Sequence, residues 1–548
     1  MTTPSVLHSF AHRAAAQRQA FLRALEEGAV VQERLLLRIV EANAATEFGQ
    51  QHGLSKVRTI DDYRSAVPLR TYNDFSPWIE RIVAGESNLL TTEEPSHFIL
   101  SSGTTGRRKT IPISARRLGE ELIPQWLIRM STPLQLQSGL ADRDDAVVNM
   151  TLAPPLLTSP VSDSSKPKVV FPQLPWLAPE SPLLGMPGTT APWFPLLSSA
   201  DSFADRMYYT LRMAVEHDVL AFLASSPLRL LSYARTLQSF SARIIEEVHN
   251  GTINQRAGLR APNPQRARAL EVMAARSGGL MPRDVWPRLA LLSCWNPESA
   301  TSFVKELLAL FGNPQFLPGP YAASEAVIAV PLDLGNAAPL AIFNAFFEFI
   351  PEGEDGARTL LPAELTVGST YEVVLTQSCG LYRYRLGDLV RVEGFVGTTP
   401  KVRFMSRQAT FSFDYEKLTE HQVLQAGTAG LEKCGLAGAA FTCLPEYASP
   451  PRYVFVIEWR EALLPEHLDR LSEAIDRELR ALNFVYDQVR NAGVIGSIAV
   501  EVVRSGSFLA LQEGRSTASS VAQHLKESVL DTSGTVSLQA LRQVRLHR

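Results

Sequence analysis

Helix-like and strand-like patches alternate along the chain from about residue 60 onward, and this alternation favours a fold of layered helices and sheets. A stretch rich in Ala, Leu, Arg and Glu, with helix-like apolar spacing, precedes them at residues 5 to about 45. The chain has 548 residues, which is too many for one ordinary hydrophobic core. We therefore predict an α/β fold built from two or more domains.

The end of the chain has the pattern of a small separate unit. RYVFVIEW (452–459) predicts a strand, residues 464–482 predict an amphipathic helix, and SIAVEVV (497–503) predicts another strand. The predicted helix carries apolar residues three and four positions apart at Leu468, Leu471, Ile475, Leu479 and Leu482. We predict a large N-terminal domain over 1–406 and a smaller α+β domain over 407–548.

Composition and charge argue against several kinds of partner. The formal net charge of -3 argues against a broad electrostatic grip on nucleic acid. No run of about 18 apolar residues is present, and the start lacks the apolar core of a signal peptide. The four cysteines form neither a CxxC pair nor a disulfide framework, which is typical of a reducing compartment. We predict a cytoplasmic protein without nucleic-acid or membrane partners. The oligomeric state is open, and we expect a monomer.

A loop of hydroxyls, glycines and cations, SSGTTGRRKT, occupies positions 101–110. Gly103 and Gly106 let the backbone approach a ligand closely, and hydroxyl, N–H and lysine groups suit phosphate oxygens. The candidate phosphate ligands are Ser101, Ser102, Thr104, Thr105 and Lys109. The loop is not a Walker A motif, because Arg108 stands where that motif needs glycine, and it does not fit GxGxxG. Taken alone, it is either a phosphate loop or an ordinary turn.

Two further stretches could complete a nucleotide site. YAASE (321–325) places a ring, a hydroxyl and a carboxylate together, which suit a base, a phosphate and Mg²⁺. The same residues could simply lead into a buried strand. In YRYRLGDLVRV (382–392), Gly387 and Asp388 separate two strand-like runs, and a carboxylate at such a tight turn can accept both ribose hydroxyls. A lone Gly-Asp pair is equally a common hairpin turn.

In this order and spacing, the three stretches resemble the nucleotide motifs of the adenylate-forming superfamily, which includes acyl-CoA synthetases and luciferases. Further segments resemble the acyl acid-amido synthetases first known as plant auxin-responsive proteins. These segments are TEFGQQHGL (46–54), VPLRTYNDFSPWIERIVAGE (67–86), FFEFIP (346–351) and YEVVLTQSCGLYRYRLGDLVRVEGF (371–395). The resemblance runs from about residue 30 to about residue 530. It implies a large adenylate-forming domain with layered sheets and helices, plus a smaller, mobile α+β C-terminal domain.

The resemblance implies a two-step reaction that uses ATP and Mg²⁺. A carboxylic acid attacks the α-phosphorus of ATP to give an acyl-adenylate and pyrophosphate, and the amine of an amino acid then displaces AMP to form an amide. Because the first step brings an anion to a polyanion, positioning and charge neutralisation dominate the catalysis. The alternatives are transfer to a thiol, as in an acyl-CoA or acyl-carrier ligase, and a relative that only binds nucleotide.

The resemblance also implies a role for particular residues. It matches the phosphate loop to Ser101, Ser102, Thr104, Thr105 and Lys109, the adenine position to Tyr321 and Ala322, phosphate and Mg²⁺ to Ser324 and Glu325, the ribose to Asp388, and the interdomain hinge to Arg407. Lys526 matches a C-terminal lysine that reaches back to the adenylate. The residues implied to be catalytic are Lys526, Lys109 and Glu325, and Glu325 is also the implied metal ligand.

Some residues depart from the family pattern or have a structural alternative. Arg107 and Arg108 stand where relatives have small or flexible residues, and Ser406 stands where glycine commonly precedes the hinge arginine. Cys379 has no base partner in the sequence pattern, so we expect it to pack. Three arginines alternate along the predicted strands and are expected to form an exposed or salt-bridged face: Arg383, Arg385 and Arg391.

The acid substrate is expected to contact the predicted helix over 118–130 and parts of 151–205. The second segment is rich in proline and serine, so it is either a substrate-facing insertion or a long surface loop. Trp126, Trp176 and Trp193 are candidate apolar liners of this pocket, and packing of the fold is the alternative role for each. The sequence does not identify the acid or the amine.

Overall fold

The chain forms two compact units in the computed structural model. The structure describes residues 6–100, 109–136, 139–140, 143, 146–149, 169–171, 193, 203–224, 227–295, 301–407, 410–411, 418–446, 448, 450–491 and 495–508. Unit 1 holds the described residues of Met1–Ser101, Thr110–Leu386 and Val390–Phe404, and unit 2 holds those of Ser102–Lys109, Gly387–Leu389 and Met405–Arg548. The domain boundary between 406 and 407 stays a prediction. Within the described ranges, no helix is both long and apolar enough to cross a membrane.

Unit 1 mixes helices and strands, as the alternating sequence pattern predicts. Its helices are α1 (Val6–Glu26), α2 (Gly28–Ala42), α3 (Glu47–Gln51), α4 (Ile60–Ala66), α5 (Tyr72–Val83), α6 (Ile123–Leu136), α7 (Phe203–Ala214), α8 (Pro227–Ser239), α9 (Ser241–Asn250), α10 (Pro264–Ser277), α11 (Pro282–Val285) and α12 (Thr301–Phe311). A π-helical segment at Arg117–Leu122 leads directly into α6.

The strands that begin in unit 1 are short, apart from three near its end. They are β1 (Pro95–Leu100), β2 (Thr110–Ser114), β3 (Ala146–Asn149), β4 (Val169–Phe171), β5 (Val219–Ala224), β6 (Leu291–Cys294), β7 (Gln315–Pro318), β8 (Tyr321–Ala322), β9 (Val327–Ala329), β10 (Ala338–Pro339), β11 (Phe346–Pro351), β12 (Thr370–Gln377), β13 (Leu381–Val396) and β14 (Thr399–Arg407). They form several separate sheets, of which two position the candidate site.

Four strands form a parallel sheet in the order β3-β5-β6-β7. β5 and β6 are almost wholly apolar and fully buried, as expected for strands covered on both faces. Phe222 of β5 contacts the rings of Trp286 and Phe311 on one face. Because the strands are parallel, their carboxyl ends share one edge, where Cys294 pairs with Pro318. Ligands of open α/β sheets bind at such an edge.

The predicted N-terminal helices are confirmed as α1 and α2, which pack on the largest core of unit 1. α1 buries Phe10 in this core. In α2, the Gln32 Nε2 donates to the carbonyls of Ile342 and Ala345, and its Oε1 accepts from the Phe347 N–H, each at 2.8 Å. Every polar atom of this buried amide is therefore used, and α2 is fixed to the start of β11.

Five strands form a second sheet in the order β10-β14-β13-β12-β11. FFEFIP (346–351) and TYEVVLT (370–376) form β11 and most of β12, which pair antiparallel. The predicted turn at Gly387 and Asp388 is wrong, because β13 runs unbroken from Leu381 to Val396. Gly387 has a positive φ of 76°, which glycine adopts without a Cβ clash. The backbone of β13 is therefore locally irregular at Gly387, and the strand continues beyond it.

A buried carboxylate, Glu348 of β11, ties three elements of unit 1 together. It is 1% exposed and accepts from the Nε atoms of Arg64 in α4 and Arg383 in β13, each at 3.0 Å. Arg383 also donates to the carbonyls of Arg64 and Val67, and to Thr359 Oγ1. Its φ of 45° is left-handed, which costs about 1–2 kcal/mol for a residue with a Cβ. The ion network offsets this strain and fixes the backbone.

Unit 2 contains a three-stranded sheet packed against helices, as predicted for an α+β class. Its elements are β15 (Thr410–Phe411), β16 (Leu418–Thr419), α13 (Glu420–Lys433), β17 (Ala440–Glu446), β18 (Arg452–Trp459), α14 (Pro465–Leu482), α15 (Phe484–Asn491) and β19 (Ala499–Arg504). β18 lies between antiparallel β17 and parallel β19. The predicted strands and helix are confirmed as β18, β19 and α14. α14 buries Leu471, Ile475 and Leu479 in one core with alternate residues of β18.

Replacing Glu348 by Ala should lower the free energy of unfolding by about 3–5 kcal/mol, because the buried Arg383 guanidinium loses its counter-ion and Arg64 loses the nearer of its two carboxylates. Denaturant unfolding followed by fluorescence measures the change. Glu86→Ala is the matched control, since Glu86 is half exposed in its bridge to Arg81 and its removal should cost less than about 1 kcal/mol. Equal losses in the two variants would contradict a central structural role for Glu348.

Candidate active site

Four of the candidate site residues lie on one short hairpin of unit 1: Tyr321, Ala322, Ser324 and Glu325. The antiparallel strands β8 and β9 form the hairpin, and the loop between them carries the serine and the glutamate. The Ala323 N–H donates to the Ala326 carbonyl at 2.8 Å and closes that loop. The residues matched to adenine, phosphate and Mg²⁺ are therefore held in one element.

Glu325 is held from two sides although it lies in a loop. It is 3% exposed, and its Oε1 accepts from the Tyr384 hydroxyl of β13 at 2.9 Å. Its backbone carbonyl accepts from Arg117 Nη2 at 2.9 Å. Arg117 belongs to the π-helical segment and also pairs with Glu121 at 2.9 Å, where burial raises the pKa of the Glu121 carboxyl and Arg117 opposes that rise. The carboxylate of Glu325 is thus oriented by rigid, buried neighbours.

The position of Tyr384 follows from the strained residue before it. Arg383 takes the left-handed conformation, and its carbonyl accepts from the Arg70 N–H at 3.0 Å. The Arg385 N–H donates to the Arg70 carbonyl at 2.8 Å, so hydrogen bonds to Arg70 flank the tyrosine. Arg385 also pairs with Glu372 at 2.6 Å. The expected salt-bridged face is confirmed for both of these arginines, and it fixes the strand that presents the phenol.

The Tyr321 ring lies in a cluster of aromatic side chains. Its centroid is 5.2 Å from that of Phe404, which lies 5.2 Å from the Trp295 ring on another side. The pocket beside these rings has a volume of about 40 Å³. Small-molecule sites usually enclose about 300–1,000 Å³. A purine base could therefore stack on Tyr321 only after a neighbouring ring such as Phe404 moves.

Three further candidate residues that the structure describes belong to unit 2: Asp388, Lys109 and Arg407. Asp388 is fully buried within β13 instead of exposed at a turn. Lys109 is half-buried and directly precedes β2, whose first N–H, that of Thr110, donates to the Tyr72 hydroxyl at 2.7 Å. Arg407 is the last residue of β14. Several residues named from the sequence lie outside the described residues: Ser101, Ser102, Thr104, Thr105, Arg107, Arg108, Trp176 and Lys526.

The sequence reasoning missed two polar residues of α6, Gln125 and Arg129. Arg129 Nη2 donates to the Ser293 hydroxyl near the carboxyl end of β6, and its buried Nε has no hydrogen-bond partner within the described ranges. Burial lowers the pKa of Arg129 to about 10. Within the described part of the chain, no carboxylate pairs with this guanidinium. The signal in the sequence is a glutamine and an arginine four positions apart in the apolar first half of α6.

Of the three tryptophans considered as pocket liners, the structure describes Trp126 and Trp193, and both contribute to packing. Trp126 of α6 is 8% exposed and lies against Phe10 of α1, with ring centroids 5.2 Å apart. Trp193 is 2% exposed and lies 4.9 Å from the His217 ring. Packing was one of the two roles left open by the sequence, and the contacts of both residues agree with it.

Cys379 packs, as expected, and does not act as a nucleophile. Its Sγ accepts from the Ser114 N–H at 3.2 Å. Complete burial raises the pKa of the Cys379 thiol, so the group stays protonated at neutral pH. A protonated, enclosed thiol is a poor nucleophile, and adenylation needs no covalent residue on the enzyme.

The donor set at Glu325 suits a Mg²⁺ ion that arrives with a nucleotide. Among the described residues, no group of three or more His, Cys, Asp or Glu side chains could hold a metal ion on its own. Mg²⁺ in nucleotide sites is usually held by one or two carboxylates together with phosphate oxygens. The single oriented carboxylate of Glu325 fits that kind of site.

Solved structures share the fold of this chain over nearly its whole length. The structure described as GH3.15 acyl acid amido synthetase superposes with a TM-score of 0.83 at 20% identity, covering 97% of this chain and 96% of that chain. AtGH3.15 acyl acid amido synthetase in complex with 2,4-DB gives a TM-score of 0.81 at 22% identity over the same shares. The predicted α/β fold with a large and a small part is therefore confirmed.

Curated plant proteins are similar over most of the sequence. The probable indole-3-acetic acid-amido synthetase GH3.12 of Oryza sativa subsp. japonica is 27% identical over 563 residues, which covers 89% of each chain. The jasmonoyl--L-amino acid synthetase JAR6 of Nicotiana attenuata is 26% identical over 526 residues, which covers 87% of each. Models of the GH3 family N-terminal, central and C-terminal domains match residues 17–316, 339–407 and 421–530. The chain therefore belongs to the GH3 family.

Proposed function

We propose that the protein is an ATP-dependent ligase that adenylates a carboxylic acid and transfers the acyl group to the amine of an amino acid or a similar amine. The observation that carries this proposal is the match of all three GH3 domains along the chain. Its relatives are named as amido synthetases of indole-3-acetic acid and as jasmonoyl-amino acid synthetases. We also propose that it is cytoplasmic, because its cysteine spacing is typical of a reducing compartment, and that it acts as a monomer.

The first half-reaction has to bring a carboxylate to a triphosphate. Mg²⁺ bound with ATP supplies neutralising charge, and Glu325 is the carboxylate that would hold it. Ser101, Ser102, Thr104, Thr105 and Lys109 would hold the phosphates, and Asp388 would accept the ribose hydroxyls. The Tyr321 ring would stack on adenine beside Ala322, with Ser324 on a phosphate oxygen. Lys109 would stabilise the pyrophosphate as it leaves.

Arg129 is the residue that we propose for binding the carboxylate of the acid. Its guanidinium lies near the carboxyl end of β6, at the edge where open α/β sheets bind their ligands. A buried cation without a counter-ion destabilises the protein while no ligand is bound. A carboxylate that pairs with the cation removes this destabilisation, which favours binding. Arginine also matches the carboxylate geometry with two parallel donors.

The second half-reaction would use the C-terminal part of the chain. We propose that Lys526 reaches the acyl-adenylate and that the chain near Arg407 acts as the hinge for that movement. Domain rotation of this kind commonly separates two half-reactions at one site. The amine then attacks the acyl carbon, the C–O bond to AMP breaks, and the nitrogen loses a proton as the amide forms.

A crossed screen of acids and acceptors tests the proposed function directly. The purified chain with Mg²⁺ and ATP should release pyrophosphate with at least one carboxylic acid, and an amide of the expected mass should form only when an amino acid is added. Pyrophosphate assays and mass spectrometry measure the two steps. Product formed with coenzyme A but never with an amine would support the thiol alternative. No pyrophosphate with any acid would overturn the proposal.

Replacing Tyr384 by Phe should lower kcat/KM for MgATP about tenfold, because Glu325 loses the donor that orients it. Pyrophosphate release measured against Mg²⁺ and ATP concentration gives this value. Tyr382→Phe is the matched control, since Tyr382 is equally buried on the same strand and donates to the Leu90 carbonyl at 2.6 Å. The control should lower Tm without raising the Mg²⁺ requirement. Indistinguishable Mg²⁺ and ATP dependence in the two variants would refute the role given to Tyr384.

Replacing Arg129 by Met should raise KM for the acid at least tenfold and leave KM for ATP nearly unchanged. Tm should hold or rise, because the change removes a part-buried cation that pairs with no carboxylate of the described residues. Arg116→Met is the control, since Arg116 is part-exposed just before the π-helical segment and bridges Glu93 and Glu120. An unchanged acid KM in the Arg129 variant would exclude it as the carboxylate ligand.

A further inference from the structure

Gln125 has the chemical character of a ligand-binding group without its ligand. The side chain is 2% exposed, and among the residues that the structure describes neither its Nε2 nor its Oε1 has a hydrogen-bond partner. Arg129 lies four residues later on the same helix and also has a buried, unpartnered Nε. Residues four apart lie on the same face of a helix, with Cβ atoms about 5–6 Å apart. The two side chains therefore form one polar strip on α6.

The strip is costly for the fold alone. A buried donor or acceptor that is left unsatisfied destabilises the folded state. The flanking residues on α6, Trp126, Leu127 and Ile128, are apolar and buried, so a leucine at 125 would match their chemistry. Gln32, the buried glutamine of α2, has partners for both of its polar atoms. The contrast indicates that Gln125 is held ready for a partner from outside the chain.

The location of α6 indicates which partner this is. Just before the helix, Arg117 donates to the Glu325 carbonyl on the β8–β9 hairpin. Farther along the helix, Arg129 donates to Ser293 on β6. Gln125 lies between these two points within unit 1. That is the region that the proposed function gives to the acid, whose carboxylate would bind Arg129.

A hydroxyl group satisfies the unpartnered amide best. The Nε2 needs an acceptor and the Oε1 needs a donor, and a hydroxyl supplies both from one atom. A ketone or ether oxygen would leave the Oε1 unsatisfied, and an apolar group would leave both atoms unsatisfied. A hydroxyl on the same face of α6 as Arg129 therefore meets both needs of the amide.

We propose that Gln125 selects a carboxylic acid that carries a hydroxyl group, placed so that the carboxylate reaches Arg129 while the hydroxyl reaches the Gln125 amide on the same face of α6. The carboxylate lies on Arg129 and the hydroxyl on the Gln125 amide. This inference rests on the proposed function and adds the substrate class to it. A site built to bond a hydroxyl rejects the analogue that lacks it, because its own polar groups are then left unpaired.

Matched pairs of acids test the proposal. Pyrophosphate release is measured for para-hydroxyphenylacetate against phenylacetate, meta-hydroxyphenylacetate against phenylacetate, and 6-hydroxyhexanoate against hexanoate. The wild-type chain should favour the hydroxylated member of at least one pair at least tenfold in kcat/KM. Gln125→Leu should bring that ratio to one or below, with Tm unchanged or raised. Gln32→Leu is the control, and it should lower Tm while keeping the wild-type ratio.

The outcomes separate this inference from the proposed function. If acids are adenylated but the wild-type chain favours the unsubstituted member of every pair, the inference is wrong and the proposed function stands. The same conclusion holds if Gln125→Leu changes the ratio by less than twofold, since an amide with only a structural role would alter Tm alone. If no acid in a wider screen releases pyrophosphate, both proposals are overturned together.

Discussion

The buried pairing of Glu348 with Arg383 is the interaction on which the rest of the site depends. Arg383 has a left-handed backbone within a strand, a conformation that survives only where the surroundings enforce it. The enforcement comes from two carboxylate contacts, two backbone carbonyls and a threonine hydroxyl, all on the one guanidinium. The next residue is Tyr384, whose phenol reaches Glu325. A charge pair on one part of the sheet therefore decides where the candidate metal ligand points.

Contacts from other elements also explain how the short β8–β9 hairpin can hold candidate site residues in fixed positions. A two-stranded hairpin is marginally stable alone, so its loop would not keep one conformation without contacts to other elements of the fold. Tyr384 holds the Glu325 side chain and Arg117 holds its backbone, from a strand and from a π-helical segment respectively. π-helical segments are rare and often mark functional sites, since they re-aim side chains along a helix. Here the segment turns Arg117 toward the hairpin.

The sequence correctly predicted helices and strands that depend only on the spacing of neighbouring residues. The strand at 452–459 and the helix α14 follow from period-two and three-to-four spacing, which need no knowledge of distant residues. The turn expected at Asp388 failed because a Gly-Asp pair is a turn signal only if the flanking strands fold back on each other. Here tertiary pairing overrode that signal. Gln125 was missed for a related reason, since its burial depends on segments far away in the sequence.

The arginines of unit 1 show how binding groups differ from structural ones. Arg117, Arg383 and Arg385 each pair with a carboxylate, so their charges are neutralised within the fold. Arg129 bonds a neutral hydroxyl, and no carboxylate of the described residues faces it. An enzyme that joins two anions needs cations that its own acidic groups leave uncompensated, because a satisfied cation has little left to offer a substrate. Burial adds to this effect, because a low dielectric strengthens the attraction between the guanidinium and an incoming carboxylate. Arg129, whose charge no carboxylate of the described residues compensates, is therefore the arginine that we propose for the acid.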